Sequence, residues 1–363
     1  MSLVIANSLL LILVLVEVGI IKFHQKKEVP WREITSNLNS GQIVLWVFRG
    51  VEIAAFHLVL QNASLNLMSE WNTIAIWVFS YLAWDLCFYW MHRLHHQYSI
   101  LWAVHSIHHE GEHFNLSLGI RNSWYSSLSN FPFVVILAII GMPLEVFITV
   151  SSINYFIQFY NHNGFIKRSG FLEKFMVTPS HHKAHHGSND IYRNKNFGGT
   201  FIFWDQIFGT YQPELDAIPV NLGIAHHQRT EEIVGMNNLP FLKLFGYKQK
   251  TSAETTKKYS NLSIGISGLL SFVLLLAYIG YENVWTTDLK SQYFVLVFLF
   301  TLSSGLMSEN KSFGYILWLL NCLLLTVFVI VNALPSAFFG AIAVLFASGI
   351  LFRSSFQKSP NFS

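Results

Sequence analysis

Asp85-Leu86-Cys87-Phe88-Tyr89-Trp90-Met91-His92-Arg93-Leu94-His95-His96 is the stretch on which the reading of this chain turns. It ends an apolar run that begins at Thr73, and it closes on three imidazoles. Two further clusters repeat the theme, His105-Ser106-Ile107-His108-His109 and His181-His182-Lys183-Ala184-His185-His186. Twelve of the sixteen histidines fall between positions 92 and 186, so they are concentrated rather than scattered. Residues at i, i+3 and i+4 share one helix face. His105, His108 and His109 have that spacing, as do His182, His185 and His186, while His92 and His96 sit one turn apart. Neutral imidazole is a ligand for iron, zinc and copper. Three helix faces, each offering two or three imidazoles, can enclose more than one metal ion.

Working outward from these clusters, the composition is that of a membrane protein. The chain is 52% apolar and 12% charged, against roughly 25% charged for soluble domains. Runs near or above the ~20 residues that cross a bilayer recur at Leu3–Ile21, Ile43–Leu60, Thr73–Trp90, Leu262–Ile279, Gln292–Met307, Phe313–Val331 and Leu334–Leu351. The first has no basic stretch before it and no small-residue cleavage site, and reads as a retained helix. Cys87 and Cys322 both fall in apolar runs and imply neither a disulfide framework nor a thiolate zinc site.

Loop charge gives the expected orientation. Lys22, Lys26, Lys27 and Arg32 follow the first span, Arg193 and Lys195 follow the third cluster, and Lys243, Lys248, Lys250, Lys257 and Lys258 precede the late spans. The loops expected opposite, Gln61–Asn72 and Tyr281–Ser291, hold Glu70, Glu282 and Asp288 against the single Lys290. The positive-inside rule then makes the His clusters cytoplasmic. Phe131–Tyr160 is interrupted by Gly141-Met142-Pro143, and proline kinks or ends a helix. One crossing would put the first two clusters and the third on opposite faces, where they could not share a metal. A membrane hairpin, re-entrant or a short helix pair, is therefore expected.

Several single residues carry expectations of their own. Asp85, His92 and His96 lie on about the same helix face, and an acid at membrane depth is costly without a partner. Asp85 is expected to accept a ring N–H from a ligand histidine and orient it; the alternatives are a charge pair or a satisfied core carboxylate. Seven helical residues span about 10 Å, so that histidine should belong to a cluster other than His92's. Asn154, Gln158 and His162 form a polar stripe at i, i+4 and i+8, which brings His162 to the hairpin's end as a further ligand. His95 lies off the His92/His96 face and either points outward or supports a ligand, His113 is either part of the site or a surface residue, and His181 is a reserve ligand. His226 and His227 either cap the site or lie on the surface, and His24 and His57 read as structural.

Taken together, the stretch from about Asp85 to Tyr211 resembles the fatty acid hydroxylase superfamily, the integral-membrane di-iron enzymes that include sterol desaturases. Within it, the stretch resembles the alkylglycerol monooxygenase-like branch. The resemblance rests on the HxxxH pair His92/His96 and the HxxHH triplets at 105–109 and 182–186. It extends to Thr178-Pro179-Ser180-His181-His182, Asn196-Phe197-Gly198-Gly199 and Trp204-Asp205-Gln206-Ile207-Phe208-Gly209-Thr210. It implies metal binding by His92, His96, His105, His108, His109, His182, His185 and His186, with His162 matching a further histidine before the third box. Gln97 stands where many relatives have Glu, and Glu110-Gly111 where many have Ser-Ser. The four late spans are similar in kind to the extra helices of the alkylglycerol monooxygenase branch.

The resemblance implies a function as well. Two iron ions would use O₂ to hydroxylate or desaturate an unactivated C–H bond of a lipid: an ether lipid, an acyl chain, a sterol-like ring or an aminolipid. Asn115, Asn122, Asn154, Gln158 and Arg121 are candidate positioning groups. No Gly-rich nucleotide loop follows a strand, so electrons would come from a separate reductase or a reduced pterin, and no nucleic acid partner is expected. A haem cytochrome needs only two axial ligands per haem, fewer than the triplets offer. A hydrolytic zinc enzyme would carry a base such as the Glu of HExxH, which is absent. A histidine-rich metal transport or storage protein is the alternative. The expected architecture is an all-α, polytopic membrane bundle with a cytoplasmic helical cap carrying the di-metal site. Its expected parts are N-terminal membrane helices at 1–72, the catalytic domain at 73–215, a connector at 216–260 and C-terminal membrane helices at 261–363.

Overall fold

A computed structural model describes residues 3–224, 229–248, 259–335 and 337–356. His226 and His227 lie outside the described residues. Within them the chain is helical, with no strand and a single isolated bridge between Met176 and Phe201. Among the described residues, six helical segments are long and apolar enough to cross a membrane: Val4–His24, Trp31–Ala63, Thr73–Gln97, Asn261–Tyr281, Thr287–Ser308 and Ser312–Val331. The seventh expected span, Leu334–Leu351, is a helix over Ala337–Phe356 whose described apolar stretch, Phe338–Gly349, is shorter than the others.

The chain divides into two compact units, residues 44–227 with 240–246, and residues 1–43 with 228–239 and 247–363. All the His clusters belong to the first. Its frame is α1 (Gln42–Ala63), α2 (Thr73–Gln97), α3 (Ser99–His109), α4 (Ser126–Ile140), α5 (Leu144–Asn161) and α6 (Pro179–His185). Asn72 caps α2, its side chain accepting from Ala75 N. Tyr98 is extended (φ −104°, ψ 125°), so the chain breaks between α2 and α3 and the second helix folds back along the first. His92 and His96 near the end of α2 meet His105 and His109 of α3.

The hairpin is a pair of helices, α4 and α5. Gly141 stops α4 in the left-handed region (φ +106°), where a side chain would also press on the Asn66 backbone. Pro143 then precedes the first turn of α5. The hairpin tip meets the α1–α2 connection: Leu65 N donates to Ile139 O at 2.7 Å, and Leu67 N to Ile140 O at 3.0 Å. The hairpin thus runs the length of α2, and α2 and α5 both end on the His side. Phe56 of α1 stacks on Phe147 of α5 at 4.0 Å, amid Val134, Leu137, Met142 and Val150.

The other unit is held by close helix approach. A Cβ on Gly265 would lie 2.6 Å from the Trp31 indole, and one on Gly268 would lie 2.5 Å from Thr35. Small residues let apolar helices pack backbone to backbone. Hydrogen bonds between small polar groups join the same helices, Ser267 Oγ to Ser304 Oγ at 2.8 Å and Asn321 Nδ2 to Ser303 Oγ at 3.1 Å.

Candidate metal centre

Two groups of imidazoles converge at the His end of the first unit. One holds His92, His96, His105, His109 and His185; the other holds His108, His162, His182 and His186. Within each, one nitrogen per ring lies within 4.8 Å of all the others. The structure brings together all nine histidines expected from the sequence. The partition has a helical cause. With 100° per residue, position i+4 is turned about 40° one way from i, and i+3 about 60° the other. His105 and His109 therefore face the five-membered group, while His108, between them in sequence, faces the four-membered one. The third box splits in the opposite sense: His182 and His186 join the four-membered group, and His185 crosses to the five. The rings of His109 and His186, 4.4 Å apart and nearly parallel, mark where the groups adjoin.

Backbone carbonyls fix the tautomers. His92 Nδ1 donates to Phe197 O (2.9 Å), His108 Nδ1 to Arg121 O (2.9 Å), His162 Nδ1 to Gln158 O (2.7 Å) and His185 Nδ1 to Lys195 O (2.8 Å). A carbonyl can only accept, so each of these rings carries its proton on Nδ1 and turns an Nε2 lone pair inward. His108 Nε2 and His162 Nε2 then meet at 3.2 Å, two acceptors with no proton between them. Burial makes an intervening proton costly: it pushes His108 down to about 4 and His185 to about 3, and takes His105, His109, His182 and His186 well below the ordinary imidazole range. A cation among the lone pairs resolves this opposition. Nitrogens that share a metal at about 2.0–2.1 Å sit roughly 3 Å apart, and the Nε2 pairs here span 2.9 to 3.3 Å. Nε2 of His96 is buried with no hydrogen-bond partner, as a ligand nitrogen awaiting a metal would be. The donor set fits a metal pair.

The remaining histidines lie elsewhere. His95 Nδ1 donates to Met91 O (2.7 Å) and its Nε2 meets Ser129 Oγ (3.0 Å), so it packs α2 against α4. His181 is buried against Thr178 and Tyr211, and His113 is exposed. Neither is in the two groups. Gln97 is exposed at the end of α2.

The contact expected for Asp85 needs correction. Its carboxylate accepts from Thr200 N (2.8 Å), Phe201 N (3.2 Å), Trp204 Nε1 (3.0 Å) and Asn154 Nδ2 (2.8 Å), and no imidazole is among these donors. Two helical turns separate it from His92, and the 197–204 segment fills the space between it and the imidazoles. Its effect on the centre runs through that segment. Asp205, whose role sequence reasoning missed, holds the same segment from the other side, accepting from Phe197 N (2.7 Å), Gly198 N (2.8 Å) and Thr210 Oγ1 (2.7 Å). Burial raises the Asp205 pKa. Phe197 O, clamped between these two carboxylates, is the acceptor that orients His92. The glycines of the strap are required by proximity, since a Cβ on Gly199 would fall 3.0 Å from Asp85 Oδ1 and one on Gly198 3.0 Å from Asp205 Oδ2.

Of the candidate positioning groups, Asn154 binds Asp85 and Thr200, and Gln158 donates to Asn154 Oδ1 and offers its carbonyl to His162. Asn115 caps a turn through Ser117 N. Arg121 is fully buried; its Nη2 meets Glu110 Oε2 at 2.6 Å, its Nε donates to Ile107 O, and its carbonyl holds His108. Phe197 packs on His92, His96 and His185, Phe114 on His162 and His186, and Trp102 on His96 and His109. This aromatic wall keeps water from the imidazoles.

Residues 77–210 match the family model for fatty acid hydroxylase. The match contains all nine converging histidines, Asp85 and Asp205. The chain is also 37% identical over 187 residues to the alkylglycerol monooxygenase of Danio rerio, covering 52% of this chain and 41% of that protein. The corresponding Homo sapiens enzyme is 35% identical over 186 residues, 51% of this chain and 41% of the relative. An ornithine lipid hydroxylase of Rhizobium tropici is 27% identical over 146 residues, 38% and 41% of the two chains. The chain thus spans about two fifths of the length of these relatives. No solved structure is significantly similar.

Proposed function

We propose that the chain is a membrane-embedded di-iron oxygenase that uses O₂ to hydroxylate or desaturate an unactivated C–H bond of a lipid. The observation that carries this reading is the meeting of the His108 and His162 Nε2 lone pairs at 3.2 Å, with both Nδ1 protons committed to carbonyls. His92, His96, His105, His109 and His185 would hold one iron, and His108, His162, His182 and His186 the other. Nine neutral imidazoles leave the charge of such a pair uncompensated by ligands, which suits ions that must accept and release electrons rather than a closed structural site. The irons supply O₂ activation and C–H oxidation when bound.

The chain's own groups do the rest. The carbonyls of Phe197, Arg121, Gln158 and Lys195 hold ring orientation, and the Asp85 and Asp205 clamps hold the Phe197 carbonyl in place. Trp102, Phe114 and Phe197 exclude water. Two electrons per turnover would arrive from a separate reductase or a reduced pterin. The relatives' names favour a lipid with a polar head, an alkylglycerol ether first and an aminolipid second. Orientation with the His end in the cytoplasm follows the lysine and arginine loops, and 73–215 would act as the catalytic domain between flanking membrane helices.

The test is elemental analysis of the detergent-purified protein beside a His108→Ala, His185→Ala double variant, followed by O₂ uptake with alkylglycerol lipids. About two irons per chain, lost in the variant, is the expected result. Stoichiometric zinc that resists replacement by iron would overturn the oxygenase reading in favour of metal storage or transport.

A further inference from the structure

Between α5 and α6 the chain runs through Ile166-Lys167-Arg168-Ser169-Gly170-Phe171-Leu172-Glu173-Lys174-Phe175. Its large apolar side chains point outward: Phe171 is 70% exposed, Leu172 52%, Phe175 51% and Ile166 37%. Such a cluster on a short turn (Gly170–Lys174) is costly in water. The rings of Phe171 and Phe175 lie 5.1 Å apart, and Lys174 Nζ sits 5.8 Å from the Phe171 centroid. Of its three cations, Arg168 pairs with Asp216 at 3.2 Å and with Glu173 at 4.0 Å, and the other two are Lys167 and Lys174.

Position identifies what covers this surface. α2 is long and apolar enough to span a bilayer, and the 18 residues of α5, roughly 27 Å of helix, pack along it to the same end. The helix runs from the hairpin tip to the His end, so the segment after it emerges at the membrane boundary on the His side. Ile153, Phe156 and Tyr160, at i, i+3 and i+7, keep an exposed apolar stripe along α5 that leads into Ile166 and Phe171. Aromatic rings beside lysines are the composition that settles at headgroup level, apolar body inward and charge outward.

We propose that residues 166–175 are an interfacial anchor. Ile166, Phe171, Leu172 and Phe175 insert into the headgroup–acyl boundary of the leaflet at the His end, and Lys167 and Lys174 meet the phosphates of anionic lipids there. The anchor is tied to the centre, because Ile202 N donates to Phe175 O (3.1 Å) and Val177 N to Thr200 O (2.8 Å), within the strap that Asp85 holds. The proposal requires the hairpin to lie in the bilayer but not the oxygenase chemistry, so each can fail without the other.

Nitroxide labels at Phe171→Cys and at Asp216→Cys, in separate full-length proteins reconstituted in phosphatidylcholine nanodiscs with phosphatidylglycerol, test it. Signal from Cys87 and Cys322 is subtracted using the unsubstituted chain. The label at 171 should collide readily with O₂ and several-fold less with a water-soluble nickel chelate than the label at 216, whose native side chain is 97% exposed. Equal nickel accessibility at the two sites would overturn the anchor. Adding Lys167→Glu and Lys174→Glu should raise nickel access at 171 when phosphatidylglycerol is present. No change would overturn the part assigned to anionic headgroups.

Discussion

Both compact units bury polar side chains in a largely apolar chain, and they use them in opposite ways. In the unit of residues 44–227, buried polar groups converge from distant points of the sequence: His92 reaches Phe197 O, His108 reaches His162, and Asp85 gathers donors from residues 154, 200, 201 and 204. In the unit of late helices, they pair off between neighbouring helices. Ser267 meets Ser304, Asn321 meets Ser303, and Arg32 takes the carbonyls of Ser308 and Tyr259. The second pattern is glue between membrane helices, where each bond is worth little and can be lost singly. The first is a network around a shared centre, in which loss of one member leaves others buried and unsatisfied. The family match falls within the first unit alone.

That contrast can be broken by substitution. The largest effect is expected for His109→Ala, which removes a nitrogen from the five-membered group beside the junction with the four-membered one. Activity should vanish and metal content fall by about one equivalent, read by elemental analysis. Next, Glu110→Ala removes the carboxylate that faces a fully buried Arg121, a loss on the order of 3–5 kcal/mol, seen as a lower melting temperature. Glu110→Ala should also weaken metal retention, because Arg121 O holds His108.

Acid should act on the first unit through the same imidazoles. Burial holds His108 near about 4 in the metal-free fold, against roughly 6.5 when unfolded. Between these values the unfolded chain binds the extra proton, so this contribution is fully present above the unfolded pKa and is lost as pH falls towards the folded one. For His108 alone it is on the order of 3 kcal/mol, at 1.36 kcal/mol per pKa unit. Thermal melts of chelator-treated protein from neutral pH downward should show the decline. A flat profile would show that these rings are not neutral and buried in the folded chain.

Asp85→Asn should leave helix content unchanged and lower turnover by roughly 10- to 100-fold, the range for outer partners of metal ligands. The amide cannot accept from four donors as the carboxylate does. If turnover falls only with loss of fold, Asp85 holds structure and nothing more. Smallest of all, Ser267→Ala in the other unit should cost about 0.6 kcal/mol with metal content unchanged. A Ser267→Ala effect on the metal would erase the contrast between the units.

Much of the site is legible in the residues alone. The His92/His96 pair one turn apart, the i, i+3, i+4 spacing of two triplets and the position of His162 at the end of a polar stripe name the nine histidines that come together. Gly141-Met142-Pro143 marks the turn of the hairpin, because glycine accepts the left-handed backbone there and proline can only begin the next helix. The partners of those histidines are not legible. Four of the nine are oriented by main-chain carbonyls, which look alike at every position and so leave no trace in residue identity. Asp85 illustrates the limit. Its depth and face are correctly read from periodicity, but a histidine is the wrong partner, because a strap more than a hundred residues later occupies the space between.

The sequence by itself determined that this is an apolar helical chain with imidazoles gathered at helix ends, since hydropathy and helical period are local properties. Only the tertiary structure decided that each triplet divides between two groups, and that His185 crosses to join the histidines of α2 and α3. Helical geometry sets which side chains share a face; which faces meet depends on how helices pack and where the intervening chain can pass.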